Sequence, residues 1–596
     1  MNKASTILKK LKSKCFEINN KRNENTDRYK MTNLFSTLFF PVFIVLMAEL
    51  NQDKYPSKLI LFISQRPMVM LFNIIVAAVI FAALCLLFKK VWRAVAVQGI
   101  VYFMLSITEL FKFGTNGNHL IMTDMKLVKS VKSLTSFAYI KITPVLVCYT
   151  LIVLIYIGMV FWFNPCVKLR FSRRIVPAAV CMGSVVSLFF VPKIASPVYS
   201  LFDVDTTAAD NVFILNEKFN NNSFLAFFMQ TASENISNKL EKPQDYNEEV
   251  IDEYLDVPVI NNSTDSFIKP NVVTVMSEAC ADFRVFDQLD LDTDAYYGFD
   301  RLAKEGYKGD LIVPTFASYT VRTEFELLFG LPVKSLNDPS MPQRMLSEEE
   351  QPTIAQYYKK MGYNTAYVHP FLSSFYSRGR LYKYFGFDQM YFEDSLTVPV
   401  EYNNAYIKDS VVFDQAEKII NESDEPVYIH ATTMQNHQPY TDGPYDNELD
   451  NYLSNIKLTS DAINDLIDDL SKSDEPTVLF IVGDHFPSFK KEGSVYEQLG
   501  INSETCDIVF DQSFYIWSNY DLDYSQMPDE KFSAFYVPYV MLDLIGAPKD
   551  TFTQAMLEKM QTVPIYSTQY DSSIPNDDEL DILTYDRAIG DKISKD

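Results

Sequence analysis

Cysteine is scarce in this chain of 596 residues, and five of the seven (Cys15, Cys85, Cys148, Cys166 and Cys181) lie before residue 200. Only Cys280 and Cys506 remain for the rest, which excludes the disulfide framework that staples small secreted domains. Two unbridged thiols are expected there in preference to one bridge. Cys280 lies within Ser277-Glu278-Ala279-Cys280-Ala281-Asp282, with no histidine near it in sequence to activate it. The phosphate-cradling Gly-x-x-x-x-Gly-Lys is also missing, so a P-loop is excluded. Internal repeats and low-complexity tracts are absent, apart from an acidic stretch near Asn576 to Asp581, which excludes a solenoid.

Each half of the chain lacks charge of one sign. Residues 1–200 hold 25 Lys and Arg but only 7 Asp and Glu, whereas residues 201–596 hold 28 against 69. The net charge of −23 therefore averages a basic front and an acidic back. A back half that acidic repels phosphate backbones and excludes nucleic acid as a partner.

The front half contains five apolar runs, near 33–50, 68–88, 92–111, 143–164 and 175–195. Each is about as long as the roughly 20 residues a helix needs to cross a bilayer. The first follows a basic tail over 1–30 and has no small-residue cleavage site after it, so it reads as an uncleaved anchor. Sixteen Lys and Arg flank the runs on one side and eight on the other. The positive-inside rule then puts the N-terminus in the cytosol and the acidic half outside the cell. Met122 to Leu134 repeats apolar residues at helical spacing (Leu127, Val128, Val131, Leu134) with lysines between them, the pattern of a helix lying on a membrane surface. The expected organisation is a cytoplasmic tail over 1–30, a five-helix transmembrane domain over 31–197, a linker over 198–265 and an extracellular domain over 266–592.

From 266 onward short apolar runs alternate with amphipathic stretches, which predicts an α/β domain on a largely parallel sheet. The runs are Asn271 to Met276, Ala366 to Val368, Pro426 to Ile429 and Thr477 to Val482. Helices are expected over Thr353 to Met361 and over Leu453 to Leu470, the latter with Leu453, Ile456, Leu458, Ile463, Ile467 and Leu470 as one stripe. Ligands in such sheets bind at the carboxyl ends of the strands. Just past these runs stand Glu278, His369, His430 with His437 further on, and Asp484-His485. Glutamate, aspartate and histidine converging on one sheet edge make a mixed oxygen and nitrogen site for one divalent cation, with Mn, Zn and Mg all compatible. A hydroxyl nucleophile would come from Pro314 to Glu326, a loop entering a helix. Chemistry alone does not rank Thr315, Ser318, Thr320 and Thr323, any of which could simply cap the helix.

With an uncleaved anchor and an extracytoplasmic α/β domain, three further features carry a resemblance. They are the Ser-Glu pair after the first strand, Thr320-x-x-x-Glu324-Phe325, and Gly483-Asp484-His485-x-Pro487. Together they resemble the lipoteichoic acid synthase family, phosphoglycerol transferases of the alkaline phosphatase and sulfatase superfamily. Tyr585-Asp586-Arg587 and Gly590 resemble that family's closing segment. The resemblance implies Thr320 as catalytic, metal-bound nucleophile, with Glu278, Asp484 and His485 as its companion ligands. It implies His369, Tyr376, Arg378 and His437 as substrate residues, either histidine serving to protonate the leaving oxygen.

The implied donor is a membrane lipid such as phosphatidylglycerol, and the implied acceptor is an envelope glycan, glycolipid or teichoic acid. Phe371 and Tyr376 stand where the family's glycerolphosphate polymerases are expected to have an acidic residue and a tryptophan. The sulfatase nucleophile motif Cys-x-Pro-x-Arg is absent, which argues against sulfate-ester hydrolysis. The alternatives are a phosphoethanolamine transferase or phosphodiesterase of the same superfamily, and a catalytically silent membrane receptor or scaffold.

Overall fold

The computed structural model describes residues 30–595 apart from 54–55, 123, 125–141, 164, 168–169, 210, 238–239, 261–266, 292, 442 and 490–493, together with residues 13, 14, 17, 20 and 21. The chain divides into two compact units, one of apolar helices up to residue 239 and one running from 240 onward with a short piece at 211–213.

Among the described residues, four helices of the first unit are long and apolar enough to cross a membrane: Lys30–Gln52, Pro67–Leu87, Val91–Gly114 and Pro144–Phe163. The fifth expected run is bent. Ile175–Phe190 and Pro192–Leu201 meet at 92°, and the break falls at Val191, where the following proline disfavours helical backbone in the residue before it. The amphipathic segment 122–134 lies outside the described residues except for Met122 and Asp124.

The segment 198–265 was expected to be a linker without a core, and the structure differs. A helix over Val212–Ser237 buries Phe219, Phe224, Leu225, Phe227 and Met229 in the first unit. The tract Asn220 to Ser223, which reads as a connection, is a kink within that helix, with Ser223 at φ 59°. The buried Asn222 side chain bonds the Asp205 backbone, accepting from its N–H at 2.7 Å and donating to its carbonyl at 2.8 Å. A polar run therefore conceals a packed bend, because its buried amide is satisfied by the Asp205 backbone.

The second unit is built on β1 (Asn271–Ser277), β2 (Tyr307–Ile312), β3 (Asn364–Val368), β4 (Gln389–Tyr391), β5 (Tyr402–Asn403), β6 (Tyr406–Ile407), β7 (Val427–Thr432), β8 (Thr477–Gly483), β9 (Asp511–Ser518) and β10 (Phe532–Ser533). Eight of them form one sheet in the order β10-β2-β9-β8-β1-β7-β3-β4, and β5 pairs with β6 in a separate hairpin. The stretch β8-β1-β7-β3-β4 is all parallel, while β9 runs antiparallel to both β8 and β2. Both faces are covered, so β1 and β8 read as continuous apolar runs. Along β1, Val272 and Met276 enter the core on one face, and Val273 and Val275 enter the core on the other.

The Glu448–Leu470 helix starts five residues before the expected stripe, because Asn447 caps it by accepting from the Asp450 N–H. Leu458 is not part of that stripe: it lies two residues from Ile456, about 200° around the helix, and is exposed.

Candidate functional site

Strand order brings the site together. Ser277 at the end of β1 is in register with Gly483 at the end of β8, so Glu278 and Asp484 leave the sheet side by side. On the other flank of β1, β7 and β3 end at Thr432 and Val368, which places His369 and the Thr433 to His437 loop at the same edge. His430, expected beyond a strand, is instead inside β7 and fully buried. Gly483 is required by close approach, since a Cβ there would lie 1.8 Å from the Cys280 carbonyl oxygen.

Glu278, Asp484 and His485 are all buried, and one ligand atom from each lies within 4.8 Å of the others. Asp484 Oδ1 accepts the Ala279 N–H at 2.7 Å and the His485 N–H at 2.9 Å. His485 Nδ1 lies 2.9 Å from the Phe486 carbonyl, which can only accept, so the Nδ1 proton is assigned there and Nε2 presents its lone pair. That lone pair and Asp484 Oδ2 face each other without a hydrogen-bond partner. Two buried acceptors in that arrangement fit a cation between them. Burial and the neighbouring Asp484 push the Glu278 carboxyl well up, opposed by the Thr320 hydroxyl and Arg378, and burial raises Asp484 as well. Positive charge at this point would offset both effects.

Of the three candidate threonines, only Thr320 bonds a side chain of this cluster. Its Oγ1 donates to Glu278 Oε2 at 3.1 Å. Thr320 is the residue before the Val321–Phe329 helix, yet its side chain makes no capping bond. Thr315 Oγ1 is held by the Ser318 carbonyl at 2.6 Å, and Thr323 Oγ1 by the Asp484 carbonyl at 2.8 Å. Five non-glycine residues beside or near these groups have left-handed backbone: Ala279, Ala317, Tyr319, Tyr376 and Ser377. Such conformations cost about 1–3 kcal/mol each and cluster where a site over-determines its geometry.

His369 and Arg378 are fully buried. Arg378 stands 5.2 Å from the Tyr376 ring centroid and donates to Glu324 and His369. Burial, then Arg378, lowers His369 to about 3. His437 is half-buried, with Nδ1 at 2.7 Å from the Gln438 carbonyl and 2.9 Å from Tyr406 Oη, so its proton is on Nδ1 and Nε2 is the basic nitrogen.

Sequence reasoning quoted Glu324 as part of a motif and missed it as a site residue. Tyr406 and Tyr367 it missed altogether, and no local signal marks them, because each acts across the fold. Cys280 and Cys506 are both buried and not in a disulfide, and burial raises the Cys280 thiol.

Residues 270–562 match the Sulfatase family. The chain carries a sulfatase domain. Around it, the lipoteichoic acid synthase of Staphylococcus saprophyticus is 24% identical over 156 residues, covering 24% of this chain and 24% of that one. A solved structure of the Streptococcus pyogenes phosphoglycerol transferase GacH, in complex with sn-glycerol-1-phosphate, superposes with a TM-score of 0.50 at 17% identity, over 60% of this chain and 97% of that one. The integral membrane lipooligosaccharide phosphoethanolamine transferase A of Neisseria meningitidis reaches a TM-score of 0.50 at 13% identity, over 86% of this chain and 97% of that one. At those identities the superpositions show a shared fold. The chain spans less than half the length of the curated relatives it matches. The resemblance read from the motifs is thus met by a sulfatase domain with lipoteichoic acid synthase and phosphoglycerol transferase among its likenesses, and the fold is the expected set of apolar helices plus a mostly parallel α/β domain.

Proposed function

We propose that this chain is a membrane-anchored phosphotransferase that moves a glycerophosphate group from a lipid such as phosphatidylglycerol to an envelope glycan, glycolipid or teichoic acid. The observation that carries the reading is the Thr320 hydroxyl bonded to Glu278 beside the Asp484 and His485 acceptors. Glu278, Thr320, Asp484 and His485 would hold one divalent cation, Mn by preference, whose charge stabilises the ionised Thr320 hydroxyl.

Thr320 Oγ attacks the donor phosphorus, forming a phosphothreonine diester as the bond to the diacylglycerol oxygen breaks. His437 suits the proton transfers better than His369, since its Nε2 is the basic nitrogen of a half-buried ring. Entering the reaction protonated on Nε2 as well, it gives that proton to the departing diacylglycerol oxygen and is left with Nε2 free. It then takes one from the acceptor hydroxyl, which attacks the phosphorus and releases Thr320. Arg378 has five N–H groups, three of them bonded within the protein, and offers the other two to phosphate oxygens. Tyr376 lies against its guanidinium.

The basic flanks of the apolar helices support a cytosolic N-terminus and a catalytic domain outside the cell membrane. A phosphoethanolamine donor is the second reading, favoured by a likeness to a phosphoethanolamine transferase that extends over 86% of the chain.

The test is to incubate the purified full chain with Mn and labelled phosphatidylglycerol or phosphatidylethanolamine and to follow diacylglycerol. Release from phosphatidylglycerol alone supports the proposal, and release from phosphatidylethanolamine alone transfers it to the second reading. No release from either overturns both.

A further inference from the structure

We infer that Glu324 and His369 are positioning residues that together fix the Arg378 guanidinium, and that His369 takes no part in proton transfer. The inference rests on the phosphotransfer reading of this site and assigns the work within it.

Glu324 is fully buried and accepts five hydrogen bonds. Its Oε1 takes Tyr367 Oη at 2.7 Å and Thr432 Oγ1 at 2.7 Å. Its Oε2 takes Arg378 Nε at 3.1 Å, Arg378 Nη2 at 2.8 Å and Tyr382 Oη at 2.5 Å. Burial alone would raise this carboxyl, but Arg378, His430 and the two phenols hold it down at about 2. It is a permanent anion, and the two-point contact sets the plane of the guanidinium.

His369 closes the third corner. Its Nδ1 lies 2.9 Å from the Thr432 carbonyl, which can only accept, so the proton is on Nδ1. Its Nε2 lies 3.2 Å from Arg378 Nη1 and receives that N–H. A proton on Nε2 would point at the arginine proton, so the ring cannot serve as an acid without breaking the contact that aims Arg378. Thr432 ties the two together, its hydroxyl on Glu324 and its carbonyl on His369. Glu324 is also four residues along the helix that begins after Thr320. Nucleophile and arginine anchor therefore share one rigid helical turn.

The test compares His369→Gln with His369→Phe in the full chain, by diacylglycerol release across a pH series and by kcat and KM for the lipid donor. A glutamine oxygen can accept from Arg378 and a phenyl ring cannot. His369→Gln should keep kcat/KM within a few-fold of wild type with both limbs of the pH profile unmoved, whereas His369→Phe should lose about tenfold or more, mainly in KM. Tyr382→Phe, which removes one of the five donors to Glu324, should shift KM in the same direction by less. Loss of a pH limb in His369→Gln, or equal losses in both His369 variants, would overturn the inference while leaving the phosphotransfer reading in place. A wild-type chain that turns over no lipid donor sinks that reading, and this inference with it.

Discussion

Asp484 Oδ2 and His485 Nε2 lie 3.1 Å apart, and neither has a hydrogen-bond partner. Two lone pairs held face to face inside a protein are unfavourable unless a cation is shared between them. Asp484→Ala and His485→Ala should each lower metal affinity of the purified full chain by about 100-fold or more, the upper end of what losing even an outer partner costs. His437→Ala should leave metal content unchanged while reducing diacylglycerol release. Elemental analysis after dialysis against graded chelator checks this, and equal metal content in all three variants would show that the cluster is no metal site.

Thr320→Ala should abolish diacylglycerol release and any covalent adduct, since the Thr320 hydroxyl is the one bonded to the Glu278 carboxylate, whereas Thr315 and Thr323 are held by backbone carbonyls. Thr320→Ser should retain part of the activity, because the hydroxyl survives and only the methyl that restricts its rotamer is lost. Thr323→Val removes a bond to the Asp484 carbonyl, at about 1 kcal/mol of stability, and should keep turnover. Mass spectrometry of the Thr320 peptide, after donor is added without acceptor, should find one phosphoglycerol unit. Full turnover in Thr320→Ala would remove the nucleophile assignment.

Glu326 lies in the Val321–Phe329 helix and is buried, accepting the Val333 N–H at 3.1 Å. Burial pushes its carboxyl up to about 8, against the opposing effects of Val333 and Arg322. A carboxyl raised in the folded state contributes stability that is fully present below its unfolded value, near 4.5, and is lost as pH rises through about 8. Glu326→Gln resembles the protonated form. Its Tm should therefore gain on wild type between about pH 5 and about pH 9. Parallel Tm curves for the two proteins would mean that Glu326 is already ionised when folded.

Protease added to intact cells should cleave beyond residue 240 and spare the N-terminal tail, as the sixteen-to-eight asymmetry of basic flanks requires. An epitope at each end read by immunoblot checks it, and a protected acidic half would reverse the orientation.

The apolar runs, the charge division and the residues past each strand were legible in the sequence because they are local properties: hydropathy over a span, alternation over a strand, a carboxylate or imidazole at a strand end. Strand β9 carries Phe514, Tyr515, Ile516 and Trp517 and was visible in principle. Strand β2, with Lys308, Gly309 and Asp310 in its middle, was not, because an edge-ward strand tolerates residues that propensity reads as loop. Which hydroxyl joins the acidic cluster also stayed open in the sequence, since four candidates lie within nine residues of one another. Tertiary structure decided it: the parallel register of β1 and β8 sets Glu278 beside Asp484, and only Thr320 then reaches Glu278. It also decided that Arg378 meets Glu324 across 54 residues and that His369 is its acceptor. A sequence carries residue types and their spacing, but which nitrogen bears a proton depends on what faces it, and here the carbonyl of Thr432 settles that for His369.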